Sequence, residues 1–418
     1  MYNICVVGGG AAGLFAACRA AGLGAAVTVF ERNEKAGKKL YITGKGRCNV
    51  TNLCGVPEFL RSVYGNSKFL LSAINSFTPA DTVAFFEGLG VPLKTERGDR
   101  VFPVSDKASD IIRALQVSAA ANGVRMVFNE RVLSIKRALG AVSPEGEHGA
   151  NGFKVTTERG VYSFDRVILA TGGKSYPATG STGDGYVFAE TLGHKIVPPV
   201  PALVPILLSK PDPLLQGLSL KNIRADIISA GSGKVLFSEF GEMLFTDKGV
   251  SGPVILSLSG RIARDLKDKI LSVDLKPALD FEQLDKRLLR DFSENINKQY
   301  KNSLAELLPK SLIPHVIIRS GINPEIPLNK VTREERQRLL NLLKGLTFQI
   351  SGTGGFAEAV ITVGGAELSE INPKTMESKL VPGLYFCGEI IDAAAETGGF
   401  NLQIAWSTAF AAGSAVGA

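Results

Sequence analysis

Three glycines near the start, in the pattern Gly8-x-Gly10-x-x-Gly13, constrain this chain more than any other feature. They stand between an apolar run at residues 4–7 and an alanine-rich helical stretch at 11–21. A second apolar run follows at 26–30, completing a β-α-β unit. The spacing has a mechanical reading. Gly8 permits the tight turn, Gly10 lets backbone approach a pyrophosphate, and Gly13 lets the helix pack against the strand. The helix start then faces the phosphates with free N–H groups and the positive end of its dipole. Glu31 closes the second strand eighteen residues after Gly13, where a carboxylate accepts hydrogen bonds from a ribose diol. An acid there disfavours a 2′-phosphate, so FAD or NAD fits better than NADP.

Two later segments separate FAD from NAD. A buried strand at 167–170 runs into Thr171-Gly172-Gly173. A short strand at 385–387 runs into Gly388-Glu389-Ile-Ile-Asp392, and Gly398-Gly399-Phe400-Asn401 opens a final helix at 401–416. A glycine and an acid after a strand near the chain end place a carboxylate at the ribityl chain in FAD domains. A helix start at Asn401 aims N–H groups at the flavin edge or the pyrophosphate. NAD dehydrogenases need no such return. The flavin domain is therefore expected to be assembled from both ends of the chain.

The chain's 418 residues exceed one ordinary core, which predicts two or three domains. At 45% hydrophobic and 21% charged, the composition excludes wholesale disorder. Five cysteines, an odd and sparse set, argue against a disulfide scaffold and for a reducing compartment. The apolar stretch 4–30 is interrupted by Arg19 and six glycines, so it reads as strand, turn and helix rather than a secretory leader or anchor. A cytoplasmic protein without membrane association is expected. Residues 33–55 read as a long loop, 69–74, 82–88 and 106–122 as helical, 124–128 as a strand, and 140–152 as a hairpin turn. Six prolines within 198–213 suggest a domain boundary. Alternation over 203–250 predicts strands, and 252–344 reads as mostly helical. Residues 348–350 and 359–363 read as strands returning to the sheet.

Longer motifs carry a family resemblance. The loop Gly37-Lys-Lys-Leu-Tyr-Ile-Thr-Gly-Lys-Gly-Arg47-Cys48-Asn49-Val50-Thr51-Asn52 resembles the signature of the BaiN/RdsA-type flavoproteins, also called the aminoacetone oxidase family. So do Ala170-Thr-Gly-Gly-Lys-Ser-Tyr-Pro177, Thr179-Gly-Ser-Thr-Gly-Asp184-Gly-Tyr186, Gly249-Val-Ser-Gly-Pro253 and the segment from Gly388 to Gln403. The resemblance spans the chain. It implies an α/β fold: a two-dinucleotide-binding-type (Rossmann-like) FAD domain at 1–195 and 355–418, an inserted β-barrel domain at 196–254 and 345–354, and an inserted helical domain at 255–344. It also implies that FAD is held by Gly8, Gly10, Ala11, Ala12, Gly13, Glu31, Arg32, Lys39, Gly46, Arg47, Cys48 and Asn49. From the rest of the chain it adds Thr171, Gly172, Gly173, Gly388, Glu389, Asp392, Gly399, Asn401 and Leu402, with the Val132 backbone at the adenine. One position departs: Asp247 follows Phe245-Thr246 where family members often carry histidine.

The flavin supplies the redox chemistry and the protein positions it. Cys48 and Cys54 lie where flavin disulfide reductases carry their redox pair. The spacing differs, none of the three histidines is C-terminal, and no second glycine fingerprint follows a strand, so that reading is disfavoured. Cys48 has two readings, a proton donor beside the flavin and a packed loop residue. Arg32, Lys35, Lys38, Lys39, Lys45 and Arg47 put six cations in sixteen residues, either a phosphate-binding rim or a solvated loop. No metal-ligand pattern is evident. Without a second nucleotide fold, NADH or NADPH would dock transiently as donor. Members resembling this chain are associated with uridine reduction in large-subunit ribosomal RNA, steroid double-bond reduction and amine oxidation. A net charge of +7 tilts the expected substrate toward RNA over a small molecule. A non-catalytic FAD-binding interaction module is the remaining alternative. The sequence sets no oligomeric state.

Overall fold

A computed structural model describes residues 1–138 and 152–417; the expected turn at 140–152 falls almost wholly outside them. Five strands, β1 (Asn3–Val7), β2 (Ala26–Phe30), β3 (Arg125–Val127), β4 (Arg166–Leu169) and β5 (Leu384–Phe386), form one parallel sheet in the order β5-β4-β1-β2-β3. β1 is buried from Ile4 to Val7, as befits a central strand covered on both faces. From β1 the chain passes through α1 (Ala11–Gly22) to β2 on one side, and it later returns to β4 on the other. This reversal at β1 is a topological switch point, and ligands of open α/β sheets bind outside the carboxyl ends of the strands there.

The C-terminal helix α2 (Phe400–Gly417) packs along α1. The two are close: a Cβ on Gly413 would stand 2.7 Å from the Ala16 carbonyl oxygen. Trp406, fully buried in α2, donates from Nε1 to the Val50 carbonyl at 2.9 Å. Strands Val132–Ala138, Gly152–Thr157 and Val161–Phe164 form a separate antiparallel sheet. The expected loop at 33–55 contains a short helix, Lys38–Ile42.

The chain divides into two compact units, residues 1–202 with 356–418, and residues 203–355. In the second, six strands close a barrel in the order Ile206–Leu208, Gly249–Ser251, Val235–Phe245, Ser219–Ser229, Lys269–Asp274, Leu346–Thr353. Helices Pro253–Ile262, Phe281–Glu294, Ile313–Ser320 and Arg333–Lys344 share one core with the barrel, Leu258 and Leu271 with Leu284 and Leu339. The separately expected barrel and helical domains thus have a common interior.

Three expectations are corrected. Lys269–Asp274 is a barrel strand inside the stretch read as helical; six residues between helices leave only Leu271 and Val273 as its inward pair. Residues 348–350 belong to the barrel and not to the parallel sheet. The strand expected at 359–363 is Ile361–Ala366, and it pairs antiparallel with Ile196–Ala202, again outside the parallel sheet. That pairing keeps residues 196–202 in the first unit. Three prolines in Ile196–Ala202 suit it to a two-stranded pairing, since proline gives no ladder N–H. Among the described residues, no helix is long and apolar enough to cross a membrane.

Candidate functional site

Three glycine turns leave the carboxyl ends of the neighbouring strands β1, β4 and β5. In the first, Gly8 has φ +106°, and its N–H donates to the Phe30 carbonyl at 2.9 Å. A Cβ there would stand 2.6 Å from the Ala170 carbonyl oxygen, so the β1 and β4 turns touch backbone to backbone. A Cβ on Gly13 would fall 1.9 Å from the Gly8 carbonyl oxygen. Gly10 differs: nothing lies within 4 Å of where its Cβ would be. Gly8 and Gly13 are needed by the fold, whereas Gly10 opens onto free space. Ala11 and Ala12 supply the small first turn of α1.

Glu31 is buried beside this turn. Its Oε2 accepts from Gly9 N at 2.9 Å, and its Oε1 accepts from Asn33 N at 2.8 Å. A carboxylate has about four acceptor sites, so capacity for a ribose hydroxyl remains. Glu130 N donates to the Glu31 carbonyl at 3.0 Å, which brings the segment entering Val132 alongside, where the adenine is expected.

In the second turn, Gly172 has φ +74°, and Gly173 lies against Thr362, whose Oγ1 would be 2.3 Å from a Cβ at 173. Thr171 Oγ1 faces Gly185. In the third, Gly388 has φ +75° and would press a Cβ to 2.7 Å from that of Ala12, which seats this turn on the start of α1. Asp392 Oδ1 accepts from Gly364 N at 3.1 Å. Glu389 Oε1 accepts from Thr362 N (2.7 Å) and Ser175 Oγ (2.8 Å), and its Oε2 receives Lys39 Nζ at 2.6 Å. Lys39 and Glu389 therefore neutralise each other in a cluster with Ser175 and Thr362. Sequence reasoning had not singled out those two partners; Ser175 lay inside a quoted motif, and Thr362 carried no signal.

At the start of α2, Gly399 has φ +102°; a Cβ would stand 2.3 Å from the Thr51 carbonyl oxygen and 3.0 Å from Asn49 Oδ1. Asn49 Oδ1 is buried without a hydrogen-bond partner among the described residues. Asn401 spends its side chain on the preceding turn: Nδ2 donates to the Ala395 and Glu396 carbonyls, and Oδ1 accepts from Ala395 N. Its amide thus fixes the helix start, and Leu402 follows half-buried.

Several expectations change here. Cys48 is fully buried, at 0% exposure, within the core that holds Phe59 and Leu70. Burial pushes its thiol up to about 12, against a lowering hydrogen bond with Thr43. A thiol with no exposed surface touches neither cofactor nor substrate, so the reading of Cys48 as proton donor gives way to a packed loop residue. Cys54 is likewise a free thiol, pushed up to about 11 by burial. Arg47, after Gly46, points into an ion cluster with Glu96 and Asp106, its guanidinium 4.1 Å from the Phe102 ring centre. Hydrogen bonds that it donates to Glu96 and then to Asp106 raise its pKa further. Arg32 pairs with Asp184 at 3.4 Å and Lys38 with Glu34 at 2.9 Å. Four of the six clustered cations thus hold a carboxylate, and the loop is not a bare phosphate-binding rim. Asp247 lies in the turn Thr246–Gly249, where Thr246 N donates to the Gly249 carbonyl.

The open space at Gly10, the glycine turns at the switch point, the Glu31 carboxylate and the orphaned Asn49 Oδ1 fit FAD as the resident group. Comparison with known proteins agrees. The family described as HI0933-like protein Rossmann domain matches residues 2–415, and the chain belongs to it. It is similar to the 3-dehydro-bile acid delta(4,6)-reductase of Clostridium scindens, with 32% identity covering 99% of both chains. It is also 31% identical to the ribosomal RNA dihydrouridine synthase of Escherichia coli, over 98% of this chain and 96% of that one. The Haemophilus influenzae enzyme of the same name is 31% identical over 97% and 96%. The protein is an FAD-dependent oxidoreductase.

Proposed function

As a member of the HI0933-like family, this chain, we propose, reduces a carbon–carbon double bond conjugated to a carbonyl, with uridine in ribosomal RNA as its substrate and NADH or NADPH as donor. The observation that carries the reading is the chemistry shared by its end-to-end relatives. A 3-dehydro-bile acid 4,6-diene and a uracil ring both present an electron-poor alkene next to a carbonyl. Bound FAD, once reduced, supplies hydride to such a carbon. The protein's part is positional. The Gly8–Gly13 turn and α1 take the pyrophosphate, Glu31 takes the adenosine ribose, and Asp392 orients the polyol.

The positive charge supports RNA. Residues 203–355 carry 22 lysines and arginines against 17 acids, most of the chain's excess. A second reading, a small steroid-like enone as substrate, is favoured by the bile acid relative and by the pairing of the loop cations at 32–47. The deciding experiment is a dihydrouridine map of ribosomal RNA from a deletion strain. Loss of one dihydrouridine, restored by complementation, supports the RNA reading; an unchanged map removes it.

A further inference from the structure

The loop that follows the first glycine turn keeps charge that the fold does not use. Of its six cations at 32–47, four hold a carboxylate. Lys35 and Lys45 hold none among the described residues, and both are exposed. Lys35 Nζ instead stands 5.0 Å from the centre of the Tyr41 ring. Tyr41 is 38% exposed and Ile42 beside it 43%. Two free cations thus bracket an accessible aromatic ring and an apolar side chain in the sequence.

The backbone holds this group at the cofactor site. Gly37 N donates to the Gly9 carbonyl at 2.9 Å, which ties one end of the loop to the first glycine turn. The other end, at Asn49, lies against Gly399 at the start of α2. Between them, Tyr41 N donates to the Gly37 carbonyl at 3.3 Å and Cys48 N to the Thr43 carbonyl at 3.0 Å. Gly44, Lys45 and Gly46 stand in succession in the left-handed region, at φ +56°, +58° and +86°. Glycine enters that region freely, and lysine does so only at a cost in backbone energy. A strained, exposed and unpaired cation on a loop fixed at both ends to a cofactor site has the character of a ligand contact.

The ligand it suits is small and anionic. Proteins that grip nucleic acid strongly neutralise about 6–10 phosphates, more than two lysines supply. Two cations and one ring match a dinucleotide, whose pyrophosphate carries two charges and whose bases stack on aromatic faces. A nicotinamide donor needs such a place, because no second glycine fingerprint follows a strand in this chain.

We propose that Lys35, Tyr41 and Lys45 bind the NADH or NADPH that reduces the flavin, the lysines at its pyrophosphate and Tyr41 against one of its bases. This rests on the reading of a nicotinamide as donor, and its test separates the two. The FAD-loaded wild type, Lys35→Ala, Tyr41→Leu, Lys45→Gly and Lys45→Arg are mixed anaerobically with rising NADH or NADPH in a stopped-flow instrument, which gives the donor Kd and the limiting rate of flavin reduction separately. The proposal expects Kd to rise about tenfold in Lys45→Gly, equivalent to about 1.4 kcal/mol, and to rise also in Lys35→Ala and Tyr41→Leu. Lys45→Arg keeps most of the affinity because it keeps the charge. The limiting rate stays at the wild-type value throughout. Lys45→Gly melts no lower than wild type, since glycine relieves the left-handed backbone, so its weaker binding is not a loss of fold. Unchanged donor Kd in both Lys35→Ala and Lys45→Gly overturns the proposal. So does a raised KM for ribosomal RNA with the donor Kd untouched, which gives the loop to the substrate. A wild-type protein that neither nicotinamide reduces contradicts the donor reading itself.

Discussion

One methyl group distinguishes the glycines that build the site from the one that leaves room in it. Gly13→Ala drives a Cβ to 1.9 Å from the Gly8 carbonyl oxygen, so it should destabilise the apoprotein by about 2–4 kcal/mol, seen as a lowered melting temperature. Gly10→Ala meets nothing within 4 Å. It should melt like wild type without flavin, yet bind FAD at least tenfold more weakly in a fluorescence titration; equal affinity would show that the space at Gly10 is not the cofactor's. Cys48→Ala should lose about 1–3 kcal/mol of stability through its cavity and keep its turnover per bound flavin, since the thiol is fully buried. A large fall in turnover at full flavin occupancy would return Cys48 to the chemistry. At this scale the glycine turns were legible in the sequence, because their reasons are backbone geometry over short spans. The sequence could not tell whether Cys48 or Arg47 faces the flavin. Both lie in one loop, and their directions are set by distant partners: core residues for Cys48, Glu96 and Asp106 for Arg47.

Three segments of the first unit meet at Asp184. Arg32 follows β2, Arg131 leads into strand Val132–Ala138, and Asp184 begins helix Asp184–Thr191; Arg131 reaches the carboxylate at 2.9 Å. Burial pushes the Asp184 carboxyl up, but hydrogen bonds from Arg131 and Thr182 outweigh it and hold the group below its ordinary value. A depressed carboxylate stabilises the fold above its unfolded pKa of about 3.9 and loses that contribution as pH falls through the folded value. Asp184→Asn should therefore cost about 1 kcal/mol near neutral pH, discounted for partial exposure. The gap from wild type should close in acid, as read from denaturant melts across pH; a gap that persists there would make the loss one of packing. Most elements of this unit were legible, because hydrophobic runs bounded by glycine recur at β1, β2, β4 and β5. Strand Lys269–Asp274 was not, because its six residues sit between helices and its β character comes from pairing with Ser219–Ser229 and Leu346–Thr353, forty or more positions away on either side.

At the scale of the molecule, strands from early and late in the chain enter one sheet, and a second unit is inserted in sequence. The division after Ala202 was blurred by the prolines, which mark an edge pairing as readily as a linker. Net charge belongs to this scale too, since the excess over residues 203–355 is a property of no single side chain. Binding of unmodified ribosomal RNA should weaken as salt rises, with a log–log slope of about 0.7–0.9 per phosphate contacted; affinity indifferent to salt would remove the electrostatic argument for RNA. The most direct test of the account is anaerobic. The FAD-bound protein is reduced with NADH or NADPH in a stopped-flow instrument, then mixed with unmodified ribosomal RNA, a steroid enone or oxygen while flavin absorbance is followed. Reduction by a nicotinamide, followed by reoxidation by one of the conjugated alkenes faster than by oxygen and with two hydrogens gained by that product, is the predicted result. No reduction by either nicotinamide, with oxygen the sole acceptor and electrons drawn from an amine, would contradict it.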